Sequence, residues 1–413
     1  MTAYPLADRL GLPRTRGNGR LLTALAVDAL GNGLFAPFLL LFLSQWSGAS
    51  LAAVGAAVTL ARLVALPIGV LAGPLTDRLG PQPALVASGV LQAAGMGGFL
   101  LAADVWQIAG CALLAAVGDA TFWVAIRSMT AAVVDVPDRP RWLAAQIALR
   151  NASFAAGGLT AALAAAAPGP HVLPALAVVN AASFVGLALL IGTWRPRLIP
   201  RDDAGPDEAG SFRTVLRDRA YLLFVGVNLL LVCSMAVPGL LLAIYVSQVL
   251  HGPLWLVGVL FTMETVLIAG LQTVVGRLME HRRRTAALRW AAVAFAASFA
   301  VYAALPGVPA YLVAPGLILA VLAATAANLL EGPSGIGLVT DAAPDHVRGR
   351  YTAVYQLSWN VGKALSPGLA TWLLARGPAV PWLALTACCA VAYVLLLRLG
   401  VLLPKRVDLP VAG

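Results

Sequence analysis

The dominant constraint on this chain is a succession of apolar runs separated by short polar or Gly/Pro-bearing turns. A membrane-spanning helix needs about 20 mostly apolar residues. Stretches of that kind lie at roughly 20–45, 51–75, 83–103, 106–133, 142–166, 171–194, 219–246, 254–278, 285–305, 309–339, 351–375 and 379–403. The expected fold is therefore an all-α membrane protein with 12 transmembrane helices. Pro37, Pro67, Pro238, Pro315, Pro333 and Pro367 fall inside these runs. They would break soluble helices, but neighbouring membrane helices re-satisfy the freed backbone groups. A β-barrel would need short alternating strands, and no such pattern occurs.

The chain is 60% hydrophobic and 11% charged, too little charge to coat a water-soluble surface. Its formal net charge of +10 could suggest nucleic acid, but the placement of the charge argues against it. With a cytosolic N-terminus, Asp77-Arg78, Arg139-Arg141, Arg195–Arg219, Arg282–Arg284 and Arg348–Arg350 all fall in cytosolic loops. The tails add Arg9, Arg14, Arg16, Arg20, Lys405 and Arg406, while the opposite loops hold only Arg376. This asymmetry is the positive-inside pattern, and it puts both termini in the cytosol. The basic tails suit anionic lipid headgroups. The first run is too long for a signal-peptide core and lacks a small-residue cleavage site, so it reads as the first span. Cys111, Cys233, Cys388 and Cys389 lie in apolar runs and read as small packing residues. No metal cluster is expected, and no G-x-S-x-G or HExxH signature suggests an enzyme.

The chain also repeats itself. "GPLTDRLGP" at Gly73–Pro81 returns in altered form as "GRLMEHRRR" at Gly276–Arg284. Gly73 and Gly276 share one offset with Asp77 and Glu280, Val54-Gly55 and Val257-Gly258, and Thr59 and Thr262. Asp28 and Pro37 face Asn228 and Pro238 at nearly the same offset, and Asn151 faces Asn360. The expected organisation is a tail at 1–19, a six-helix bundle at 20–194, a linker at 195–218, a second bundle at 219–403 and a tail at 404–413. "FRTVLRD" in the linker has the pattern of one short amphipathic turn, though the stretch reads chiefly as a plain linker.

Two six-span halves, a long middle loop and G-x-L-x-D-R-x-G after the second span together resemble the major facilitator superfamily of transporters. The resemblance covers essentially the whole chain and implies two parallel halves that rock about a central cavity. It implies a gating latch of Gly73, Asp77, Arg78 and Gly80 with Asp135, mirrored by Gly276 and Glu280. Gly73 would allow close helix approach, Asp77 would hold the start of span eleven near Tyr351, and Arg78 would pair with a carboxylate such as Asp135. Pro81-Gln82-Pro83 stands where the family usually places basic residues.

Deep ionisable groups cost about 2.5–3.5 kcal/mol each on insertion scales, so they face protein or water. Asp28, Arg62, Asp119, Arg127, Arg150, Glu264, Glu331 and Lys363 are the candidates, with Asn32 and Asn360 as polar lining. Asn228, Asn328, Gln272, Trp123 and Trp359 extend that lining. Asp28 and Arg127 lie at similar depth and fit either a structural ion pair or a substrate role, and Arg62 is placed to neutralise Asp119. Arg150 lies shallow enough to snorkel to the interface. Glu264 and Glu331 are candidates for proton or substrate contact.

"SWNVGKALSPG" at Ser358–Gly368 faintly resembles the span-five signature of drug–proton exporters, but span five itself has only Gly157-Gly158. The expected function is secondary active transport by alternating access across the cytoplasmic membrane. Proton-coupled efflux of small amphipathic compounds is the first reading, and proton-coupled uptake of a small metabolite is the alternative. The expected partners are a small-molecule substrate, protons and lipids, with no cofactor, no metal, no nucleic acid and a monomeric state.

Overall fold

The computed structural model describes residues 17–166, 169, 171–197, 212–279, 281–344 and 347–409. All regular structure among the described residues is helical. They divide into two compact units. The first runs to Ala204 and also takes in Leu254–Thr265; the second comprises Gly205–Pro253 and Val266 onward.

The first unit opens with α1 (Gly19–Phe35), a 3-10 turn at Ala36–Phe38 and α2 (Leu39–Ser47). Pro37 has no N–H to give to the α-ladder, and the tighter turn absorbs the gap. Next come α3 (Leu51–Leu79), α4 (Pro81–Phe99), α5 (Val105–Val133), α6 (Arg139–Ala166) and α7 (Val172–Gly192). Ser50 caps α3 by accepting from the Ala53 amide at 3.3 Å. Asp104 caps α5 by accepting from the Trp106 and Gln107 amides at 2.9 and 2.8 Å. Gly80 ends α3 with φ of 90°, a conformation that favours glycine.

In the second unit the described part of the linker contains one short helix, α8 (Phe212–Arg217). It leads into α9 (Arg219–Ile244), which runs on through a π-turn at Tyr245–Val249. Asp218 caps α9 by accepting from the Tyr221 amide at 2.9 Å. Then follows α10 (Trp255–Met279), which belongs to the first unit up to Thr265 and to the second from Val266. The second unit continues with α11 (Arg284–Ala304), α12 (Ala310–Ala342), α13 (Arg348–Leu374), α14 (Val380–Leu402) and α15 (Lys405–Asp408).

Nine helical stretches among the described residues are long and apolar enough to cross a membrane. Three further long helices, α4, α6 and α13, fall outside that set for reasons visible in their residues. α4 opens on Pro81-Gln82-Pro83 and carries four low-hydropathy glycines. α6 opens on Arg139 and Arg141 and carries Arg150; α13 opens on Arg348 and Arg350 and carries Lys363.

The sequence repeat is matched by packing within each unit. α4 packs on α5 and α7, and α11 packs on α12 and α14. α1 packs on α6 and α7, and α9 packs on α13 and α14. The match fails at one place. α3 packs along α5, whereas α10 makes no comparably extensive packing on α12.

Polar clasps tie the helix ends together. Gln82 at the start of α4 donates to the Ile191 and Trp194 carbonyls at 2.8 and 2.7 Å, closing the end of α7. The same place in the repeat is held by Thr285 at the start of α11, whose amide donates to Asp408 at 2.9 Å. Its neighbour Arg284 donates to the Val407 carbonyl at 2.9 Å and pairs with Asp341 at 2.6 Å. All four cysteines are free thiols.

Candidate functional site

In the first unit the polar interior is built on a close contact between α1 and α6. A methyl group on Gly33 would overlap the Phe154 carbonyl, and one on Gly157 would overlap the Leu30 carbonyl. Without these glycines the two backbones could not approach so closely. The contact brings Arg150 of α6 onto Asp28 of α1, at 3.0 Å from Nη1 to Oδ2. Asp28 is 2% exposed and Arg150 is 23% exposed. Asn32, one turn above, donates to the Asp28 carbonyl at 3.0 Å and to its carboxylate at 3.3 Å. Arg150 is therefore not a snorkelling residue, and it rather than Arg127 takes Asp28. Both members of the pair lie about three turns into their helices, a match of depth readable in the sequence.

The Arg150 guanidinium lies 4.7 Å from the Trp123 ring centroid and 5.3 Å from that of Phe122, both on α5. Such stacking holds a cation without a second carboxylate. Asp119 is the electrostatic partner of Arg62 on α3, and it also acts on Asp28. Asp119, Trp123 and Arg127 follow one another at four-residue spacing on a single exposed face of α5. Polar side chains at that depth line water or protein rather than lipid.

The sequence motif expected to form a latch sits at the end of α3. Asp77 and Arg78 are exposed there, and Gly80 supplies the left-handed turn. The close helix approach expected at Gly73 is not found, since a methyl there would meet nothing within 4 Å; Gly276 is the same. The anticipated Arg78–Asp135 pair does not form either, for Arg78 makes no ion pair among the described residues. Exposed Asp135 starts the turn after α5, where its carbonyl accepts from the Asp138 amide at 3.0 Å. The end of α5 is closed instead by Arg139, which donates to the Ala131 and Val134 carbonyls at 2.8 and 3.2 Å. Glu280 lies outside the described residues.

In the second unit the α9–α13 contact carries a neutral tie. Asn228 donates to the Ser358 hydroxyl at 2.7 Å, and Ser358 in turn donates to the Tyr355 carbonyl at 2.7 Å. At the start of α13 the Tyr351 hydroxyl, near which Asp77 was expected, donates to Asp218 at 3.0 Å. Tyr355, Trp359 and Lys363 form a stripe at helical spacing, and the Lys363 amine lies 5.3 Å from the Trp359 ring centroid. Asn360 and Lys363 are exposed on α13; Glu264, in the part of α10 that belongs to the first unit, is half-buried.

Glu331 of α12 stands apart. It is 2% exposed, and its Oε1 has no hydrogen-bond partner among the described residues. A methyl on Gly335, one turn on, would lie 3.1 Å from both that oxygen and the Tyr355 hydroxyl. The two polar atoms therefore face one small space beside a glycine. Tyr355 was not singled out in the sequence, although its place one turn before Trp359 marks it as part of the same stripe.

A sequence profile of the Major Facilitator Superfamily matches residues 21–367. The chain belongs to that family. As a major facilitator protein it is a multi-pass membrane transporter and not an enzyme. A comparison with curated protein sequences gives no match. Solved structures share the fold at low identity. A variant of the nucleoside transporter NupG is similar at 13% identity, with 92% of this chain and 99% of that chain covered and a TM-score of 0.77. A bacterial homologue of the iron transporter ferroportin, in an inward-facing state, is similar at 14% identity, with 93% and 98% covered and a TM-score of 0.75. A peptide transporter variant of the POT family, bound to sulfate, is similar at 14% identity, with 96% and 95% covered and a TM-score of 0.72.

Proposed function

We propose that this transporter is proton-coupled and exports small amphipathic molecules across the cytoplasmic membrane, with both termini in the cytosol. The observation that carries the coupling is Glu331, a buried carboxylate whose Oε1 lacks a hydrogen-bond partner among the described residues. A bare charge at such a site is costly, and a bound proton removes it. Water or substrate reaching the space shared with Tyr355 would stabilise the ionised form and release the proton. Glu331 is thus the exchangeable proton site, and Tyr355 is its nearest hydroxyl. Asp77, Arg78 and Gly80 serve as the gating motif.

The coupling is tested in proteoliposomes holding a pH-sensitive dye, with dye-like amphipathic probes added outside. Glu331→Gln is expected to abolish probe-driven proton movement while passive probe exchange continues. Proton movement at the native level in that variant rules Glu331 out. The direction is tested in cells lacking the transporter, which should retain more of a fluorescent amphipathic dye. Unchanged retention across a broad panel, together with lost uptake of a metabolite, supports import instead. Asp77→Asn should slow transport at an unchanged protein level.

A further inference from the structure

The face of α5 that carries Asp119, Trp123 and Arg127 holds one cation that the polar interior of the first unit does not use. Arg150 is neutralised by Asp28 at 3.0 Å. Arg62 has Asp119 as its electrostatic partner. Arg127 makes no hydrogen bond or ion pair among the described residues, although it lies about two turns inside an apolar helix. It shares its stripe with Asp119, whose partner is on α3, so the stripe faces the protein's own polar side and not lipid. One turn away, Trp123 is 42% exposed. The Arg150 guanidinium stacks against this ring at 4.7 Å, which fixes the indole and leaves much of its surface open.

We propose that Trp123 and Arg127 form a subsite for a planar organic monoanion, a ring bearing one carboxylate, within the cargo of this transporter. The inference rests on the reading of the protein as a small-molecule transporter. Residues four apart on a helix are separated by about 6 Å along its axis. A carboxylate on the Arg127 fork therefore places an attached ring at the Trp123 indole. The planar guanidinium matches a carboxylate through two parallel hydrogen bonds. Offset or edge contact with the indole then holds the ring. The single cation left over on this face, Arg127, neutralises a single negative charge, which favours a carboxylate over a doubly charged phosphate.

The test is equilibrium binding of naphthoate and its neutral isostere naphthamide to the purified full-length protein in detergent. Native protein should bind naphthoate at least about ten-fold more tightly than naphthamide, the size expected for hydrogen bonds to a charged group. Arg127→Gln should bring the two affinities together, Arg127→Lys should keep part of the difference, and Trp123→Leu should weaken both probes. Equal affinities in the native protein, no binding of either probe, or a preference that survives Arg127→Gln would each overturn the subsite. The native comparison decides even if Arg127→Gln does not fold. Binding needs no gradient, so a failure here is distinct from a failure of proton coupling or of transport direction.

Discussion

The contacts α1–α6 and α9–α13 occupy equivalent places in the two repeats, and each is fastened by one polar tie. In the first unit the tie is ionic, Asp28 to Arg150 at 3.0 Å. In the second it is neutral, Asn228 to Ser358 at 2.7 Å. Asp28 and Asn228 correspond in the repeat, whereas Arg150 and Ser358 lie one residue out of register by the Asn151–Asn360 pairing, so the same two helices are tied through different residues and different chemistry. The ionic version needs stacked aromatic rings and a glycine-lined approach to hold its cation. The neutral version has rings beside it too, Phe224 stacked on Tyr355 at 5.9 Å, but it holds no cation that they must support. Helix packing dictates where a tie is required but not whether it carries charge.

The comparison breaks first at Arg150. Arg150→Met strands the buried Asp28 carboxylate and should cost about 3–5 kcal/mol. The cost is read as a fall in the detergent-solubilised protein's thermal unfolding midpoint, and adding Asp28→Asn should restore most of it. A single variant as stable as the native protein would show that the ionic tie does no more than a neutral one. Next in size is Gly33→Ala, which drives a methyl into the Phe154 carbonyl and should cost about 1–3 kcal/mol. Gly362→Ala meets side chains and not backbone, Val232 at 2.7 Å and Leu229 at 3.5 Å, which can turn aside; it should cost less in the same melt. Asn228→Ala removes the neutral tie and should cost about 1–2 kcal/mol, well below Arg150→Met. Smallest is Gln82→Ala, at about 1 kcal/mol, seen as faster amide exchange at the end of α7.

The apolar runs gave the helices to within a few residues, because the need to bury backbone polar groups in lipid leaves one solution per run. The unbroken helices around Pro67, Pro238, Pro315, Pro333 and Pro367 follow from the same cause. Partner choice was less legible. Arg150 read as an interfacial snorkeller because a run of residues reveals depth but not which neighbour a side chain meets. The glycines at positions 33 and 157, which decide that meeting, look like any others in the sequence. Gln82 read only as a departure from a basic run, whereas it closes the end of α7 through two carbonyls. Gly80 read only as a member of the motif, and the φ of 90° at which it ends α3 is the structure's own addition.

The clasp at Thr285, Arg284 and Asp408 bears on how this protein can be handled. The residues after α14 are part of the second unit's framework: Asp408 fills the open amide of Thr285 and Val407 occupies the Arg284 fork. A truncated gene product stopping at Leu403 would therefore expose the first turn of α11 and strip Arg284 of one of its carbonyl acceptors, leaving it to Asp341 and Gly337. Affinity handles and fluorescent fusions are best joined beyond Leu409, where the splice spares the clasp.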